Sequence, residues 1–579
     1  MEPQIYADLR QQVKDLNIRG MQLGSAFERT GSVNNATGSV RAFQSALELV
    51  PNDDAILRAE LLTNLSVALR ARGAFCRSVD DLNQAVATVE EAIVSTSKND
   101  RSNRPIRLCN FAIASHCRYE ITKTVEDLDV AVKANKEAVA ISVDHPFRVM
   151  FLCSLFTMLH SRFKRTKDLE DVNEALQAIK ETLDASSEGD PNRGGYLNNL
   201  ALGHLSRFEQ TGDPLDLDAA VQASEEGVSA TPYTNINRVI FMGTHANSLR
   251  SRYAHSHTLT DLNAMFSASA SAAKQLPLNH PLRPSRWHEF SVTLLMKYER
   301  TGSINDLNYA ISAGRTATEY KDRNPADRAD RLNHLSVALR ERFEHMRSLE
   351  DLKASIKVSR EALKYVPDGH RNVPTYLTNL GCTLQLSYKR LGKTSDLDEA
   401  VKVKKEALFQ AKEGHVNSDA YLYNVSTALL ARFEHKREAD DLNQAEEAIR
   451  DILKRLDPSH PKRPIVLNTH SLVLQSRFSV GHDMDDLNLA IEASYGALQL
   501  IQADDPRRTA FLHVLGKALE QKLEQTGALE DLEKCVDAYK ESASLPQCLA
   551  RMRIASARQG ANLVRRHDPA RPLIYWRSA

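Results

Sequence analysis

This chain lacks an excess of either charge, a close cysteine pair and a long apolar run. Its 75 lysines and arginines balance 75 aspartates and glutamates, with no charged tail. That balance argues against nucleic acid or an acidic membrane surface as the main partner. The seven cysteines, Cys76, Cys109, Cys117, Cys153, Cys382, Cys535 and Cys548, show no paired spacing and mostly fall in helical apolar patterns. Reduced, buried thiols in an intracellular protein are therefore expected. The opening segment MEPQIYADLRQQVKDLN has no apolar core and does not read as a signal peptide. No apolar run approaches the roughly 18 residues of a membrane helix. The expectation is a soluble, cytoplasmic protein without membrane insertion.

Motifs that carry chemistry are missing too. Among nineteen histidines there is no HExxH, and the cysteines form no CxxC or zinc-spaced Cys/His set. The pair His255 and His257 falls in a loop between helices, where polar residues are expected anyway. No glycine-rich phosphate loop, GxSxG elbow or kinase signature occurs. We expect no catalytic residues, no cofactor and no metal, and so a protein that is not an enzyme.

What the chain does contain is a period. Asp-Leu, or Asp-Val once, begins at Asp81, Asp127, Asp171, Asp216, Asp261, Asp306, Asp351, Asp396, Asp441, Asp486 and Asp531, at spacings of 46, 44 and then 45 eight times. An aromatic keeps the same beat eight residues earlier, from Tyr119 to Phe478. The clearest unit is Arg331 to Pro367. Leu332, Leu335, Ala338, Leu339 and Phe343 lie three or four apart and make one face of a helix A; Leu352, Ile356 and Leu363 do so for a helix B. Between them Ser348 followed by Asp351 reads as a helix start. Ser78, Thr124, Asp168, Asp213, Thr258, Ser303 and Asp483 repeat that cap, while Lys393, Glu438 and Ala528 depart from it, and Thr394 is a candidate cap in the first of these. The recurring aspartate is thus read as a first-turn acid favoured by the helix dipole rather than as a catalytic row. The loop after helix B, as in LDPSHPKRP, is rich in Pro, Asp, Asn and His, which turn chemistry explains.

Small residues define the packing. One follows the helix A leucine in ten of eleven units, as at Ser66, Ala201, Ser336 and Gly516, and helix B carries two small positions seven apart, as at Ala85 and Ala92. With the proline that follows at Pro232, Pro277 and Pro367, this order resembles the tetratricopeptide repeat, expanded to about 45 residues. The resemblance implies an all-α, tetratricopeptide-like helical-hairpin solenoid of about twelve repeats, wound as a right-handed superhelix. Phrases such as SVALRERFEHMRSLEDL are similar to long-period arrays of filamentous fungi, in many of which the array precedes a caspase-like CHAT protease domain. The last segment, ARMRIASARQGANLVRRHDPARPLIYWRSA, resembles the junction leading into such a domain. We expect a repeat array over residues 1–545, a capping helix and tail over 546–579, and no separate catalytic domain.

The resemblance implies that helix A lines a groove for an extended peptide. The residue before the helix A leucine is Asn64, Asn110, Asn199, Asn379 and Asn424, and His334 in the clearest unit, beside Asn333. An amide offers both donors and an acceptor, so it can pair with any peptide backbone. The other reading is that these amides bond to neighbouring helices or face water. Arg70, Arg250 and Arg340, five residues past the leucine, add charge to such a groove. A second arginine row just before the aromatic, including Arg72, Arg162 and Arg342, is read as structural pairing. The expected function is a scaffold that binds a peptide or protein partner. The alternatives are the regulatory half of a protease or immune-type system, and an accessory protein of a specialised metabolic pathway.

Overall fold

The structure, a computed structural model, describes residues 3–51, 54–320, 324–367, 369–411, 417–545 and 550–567. Among them the regular elements are twenty-five α-helices, from Pro3–Thr30 to Ala550–His567. They run as A–B hairpins, from Pro3–Thr30 with Val33–Leu49 to Arg508–Thr526 with Leu529–Ser544, with one helix after the last pair. Within each unit helices pack on their neighbours in the chain, and most successive A helices also touch. Contacts that stay local along the chain define a solenoid. The fold is all-α, a tetratricopeptide-like helical-hairpin array. It divides into two compact units, Met1–Thr293 and Leu294–Ala579.

The hairpin of Arg331–Pro367 shows why these residues fold as they do. Helix A, Pro325–Met346, buries Leu332, Leu335, Leu339 and Phe343 on one stripe. It ends at Arg347, whose left-handed backbone (φ 58°) lets its N–H reach the Phe343 carbonyl at 2.8 Å. Helix B, Leu349–Tyr365, then turns back over it. Small residues make the approach close. The Ser355 hydroxyl donates to the Ser336 carbonyl on the facing helix at 2.8 Å. In the last hairpin a methyl group on Gly516 would lie 2.6 Å from the Tyr539 ring.

The helix-start reading holds with exceptions. Ser78, Asp168, Asp213, Thr258, Ser303 and Asp483 accept a backbone N–H from the first turn. Thr124 and Ser348 occupy the cap position without that bond. Thr394 is the first helical residue rather than a cap; Lys393 stands before it.

The recurring aspartate does more than start helix B. In most hairpins it is buried and receives the arginine of helix A nine residues earlier: Arg72 Nη2 lies 2.7 Å from Asp81 Oδ1, and Arg342 Nη2 lies 2.6 Å from Asp351 Oδ1. In both pairs the guanidinium also donates through Nε, giving a two-point clamp. The other end of the same guanidinium reaches the preceding repeat. Arg118 donates to Asn83, Arg207 to Asn173 and Arg342 to Asn308, at 2.9–3.2 Å. These last clamps therefore close their own hairpin and fasten it to the one before.

The outer loops are fixed by turn chemistry. His145, His280, His370 and His460 each accept, through Nδ1, the backbone N–H two residues on; Asp100, Asp190, Asn235 and Asp505 do the same through a side-chain oxygen. Several of the histidines that prompt a search for metal are thus turn caps. Arginines at the following helix start, Arg148, Arg283 and Arg463, donate to carbonyls at the end of the previous helix B, the orphan acceptors of a helix terminus.

Of the C-terminal segment expected at 546–579, residues 546–549 and 568–579, with Cys548, lie outside the described residues. Helix Ala550–His567 buries Leu563 and Val564 in the cluster containing Tyr539 and Leu532. The thiols are less uniformly hidden than expected: Cys109 and Cys535 are buried, Cys117, Cys153 and Cys382 half-buried, and Cys76 exposed.

Candidate functional site

The candidate site is the face of the A helices that carries the asparagine row. Every position in that row is half-buried, but the amides are not equally available. Asn64 donates to Asn17 at 3.0 Å, and Asn379 donates to Asn333 at 2.9 Å, each bond joining consecutive repeats. Asn333 is itself buried, so its amide belongs to this internal link. Asn199 lies 3.8 Å from the Cys153 sulfur, and Asn424 donates to the Ala420 carbonyl of its own helix. Asn110 is half-buried beside buried Cys109. His334 is half-buried, and Arg340 bonds its neighbour Glu341 at 3.3 Å. Arg70 lies close enough to Cys117 to oppose the rise that burial causes in that thiol's pKa. Part of the row therefore serves the stacking of repeats, the other use an amide at this position allows.

Histidines on the same face do likewise. His116 Nε2 meets Ser161 Oγ and His160 Nε2 meets Ser206 Oγ, both at 2.8 Å and both between repeats. Burial pushes the His160 pKa down to about 4, which keeps the ring neutral.

Arg250 stands apart. It is exposed, and it lines a pocket of about 330 Å³ in the unit Met1–Thr293 together with Ile240, Gly243, Asn247, Arg286 and Glu289. Arg286 Nη1 lies 2.7 Å from Glu289 Oε2. Burial raises the Glu289 pKa, while the guanidinia of Arg286 and Arg250 oppose that rise. Gly243 makes the arrangement feasible, since a Cβ there would fall on the Arg286 guanidinium. Sequence reasoning missed Gly243 and Arg286. The signal was a pair of columns: Phe151, Tyr196 and Phe241 precede Arg286 at the repeat spacing, in a column that is also arginine at Arg107 and Arg331, and Asn198 precedes Gly243.

Two further pockets hold residues of the row. Asn64 borders about 280 Å³ among Gly20, Gly24 and Phe43 in the first unit. In the second, Asn424 borders about 400 Å³ among Tyr423, Ile452 and Ile465. Among the described residues no group of three or more His, Cys, Asp or Glu could hold a metal ion, and no helix is long and apolar enough to cross a membrane.

No protein-family model and no curated protein matches the chain. Solved structures similar to it include the human IFIT1 dimer with m7Gppp-AAAA, at 13% identity over 83% of this chain and 94% of that one, with a TM-score of 0.41. The human IFIT1 dimer with PPP-AAAA gives 13%, 83%, 97% and 0.39. The APC/C hetero-tetramer Cut9-Hcn1 gives 13%, 89%, 94% and 0.34. Likeness at this level concerns helical-repeat architecture alone.

Proposed function

We propose that the chain is a non-enzymatic, cytoplasmic scaffold that binds an extended peptide or partner segment along the A-helix face. The observation that carries this reading is the division of polar groups. Most of the periodic arginines and aspartates are consumed in clamps, several loop histidines in turns, and part of the asparagine row in links between repeats. The A-helix face retains open pockets lined by unlike residues, with Arg250 exposed in one of them. A chain that presents several small, different pockets binds by many weak contacts, with specificity set by the pockets. Recovery of partners from cell extract tests it, comparing wild type with a variant carrying Asn64, Asn110, Asn379 and Asn424 changed to Ala. Circular dichroism must first show that the variant is folded, because Asn64 and Asn379 also join repeats. Reduced recovery by the folded variant is expected. Unchanged recovery would remove the asparagine row from the binding face.

A further inference from the structure

We propose that the Arg250–Arg286–Glu289 pocket takes the side-chain carboxylate of an aspartate or glutamate in the bound peptide. The inference rests on the peptide-binding reading above and names what one part of that face selects.

The pocket is built on two positions that fit each other. Position 286 holds arginine, as positions 107 and 331 of the same column do where most repeats carry an aromatic, and position 243 loses its side chain where a Cβ would strike the Arg286 guanidinium. Arg286 is only 13% exposed along its side chain, and its Nε is buried without a hydrogen-bond partner. Moving a guanidinium into such a place costs desolvation that a single acid only partly offsets. Glu289, which stands where other repeats carry the row asparagine, holds one Nη and so aims the planar group.

The charge count then decides the ligand. Arg250 and Arg286 face one carboxylate, so the pocket retains one net positive charge. A side-chain carboxylate brings one negative charge and matches the fork of a guanidinium. A phosphate carries a second charge near neutral pH, which Glu289 would repel. The floor, Leu202, Ile240 and Met265, is apolar and suits the methylenes of a short acidic side chain. Arg250 is exposed and bonds Asn247 one turn back on its own helix, so it can close over the ligand.

The test uses the full chain and a random twelve-residue peptide library displayed on phage, panned on wild type and on Arg250→Gln. The expected result is wild-type enrichment of peptides with Asp or Glu in one register. Changing that acid to its amide should weaken binding to wild type about tenfold, the scale of one charge-assisted hydrogen bond. On Arg250→Gln the same change should matter less than about twofold. Gly243→Ala, which displaces Arg286 while leaving Arg250, should flatten the acid preference as well. Peptides enriched without an acid preference would overturn this inference and leave the scaffold reading standing. Failure to enrich any peptide would overturn both. A single-stranded RNA oligonucleotide that binds wild type and is weakened by Arg250→Gln would assign the pocket to nucleic acid instead.

Discussion

In the unit Met1–Thr293 the charge clamp is built the same way five times: Arg72, Arg118, Arg162, Arg207 and Arg252 each hold the acid nine residues on. In the unit Leu294–Ala579 the partner varies. Arg342 and Arg432 keep the two-point form, Lys297 stands 3.5 Å from Asp306, the Ser387 hydroxyl donates to Asp396, and Thr526 donates to Asp531. The acid persists where the arginine does not. An aspartate in the first turn of helix B has two tasks, complementing the helix dipole and receiving the clamp, and only the second needs a cation. The cation's own task is the bond to the preceding repeat, which a serine or threonine is too short to make.

That contrast can be broken by removing the acid on each side of it. Asp171→Ala leaves the partly buried Arg162 to the exposed Asp129, 3.1 Å away, and should cost about 3 kcal/mol, the low end for breaking a buried ion pair. Asp396→Ala removes the partner of the Ser387 hydroxyl and of the exposed Lys393 ammonium, 3.0 Å away, and should cost about 1 kcal/mol. Urea unfolding, with hydrogen exchange at the flanking helices to localise the effect, separates the two. Equal losses would mean that the clamp adds nothing beyond the helix start.

Acidification sharpens the comparison next, through His160 in the first unit. Its folded pKa, about 4, lies below the ordinary value of 6.5, so the unfolded chain binds a proton that the folded one refuses. Stability from this group is complete above pH 6.5 and is lost as the pH falls from there to about 4. The loss reaches about 3 kcal/mol at the bottom of that window. His160→Gln should unfold with a flatter pH dependence over the same range. An unchanged slope would show that the ring protonates freely in the folded state.

The smallest effect concerns the helix A exit, which is left-handed in both units. Gly212 (φ 70°) and Arg347 (φ 58°) hold equivalent places. Gly212→Ala should cost about 1 kcal/mol of backbone strain. Arg347→Gly relieves similar strain but frees the unfolded chain, and should change stability by less than about 0.5 kcal/mol. Thermal unfolding of the two variants checks the sign of each.

The hairpins were legible because the sequence repeats its apolar spacing, its small positions and its first-turn acid in register. The reading of Asp351 as a helix start was sound but incomplete. Its partner Arg342 lies across the turn, and the link onward to Asn308 needs the stacking of two hairpins before it exists. The same reason hid the bond from Asn379 to Asn333, residues 46 apart in sequence. Arg250 was reached from its column alone. Gly243 and Arg286 were not, since each looks like a lapse in the repeat until the fold brings one over the other. Regular positions announce architecture; paired irregular ones have to be seen together.

The central claim is that the periodic charges build the array and do not contact the partner. A double-mutant cycle on Arg162→Gln and Asp171→Asn tests it, reading both unfolding and recovery of partners from cell extract. The account predicts a coupling of about 2 kcal/mol in stability and unchanged recovery by each folded variant. Additive effects on unfolding, or recovery lost by a variant that remains folded, would contradict it.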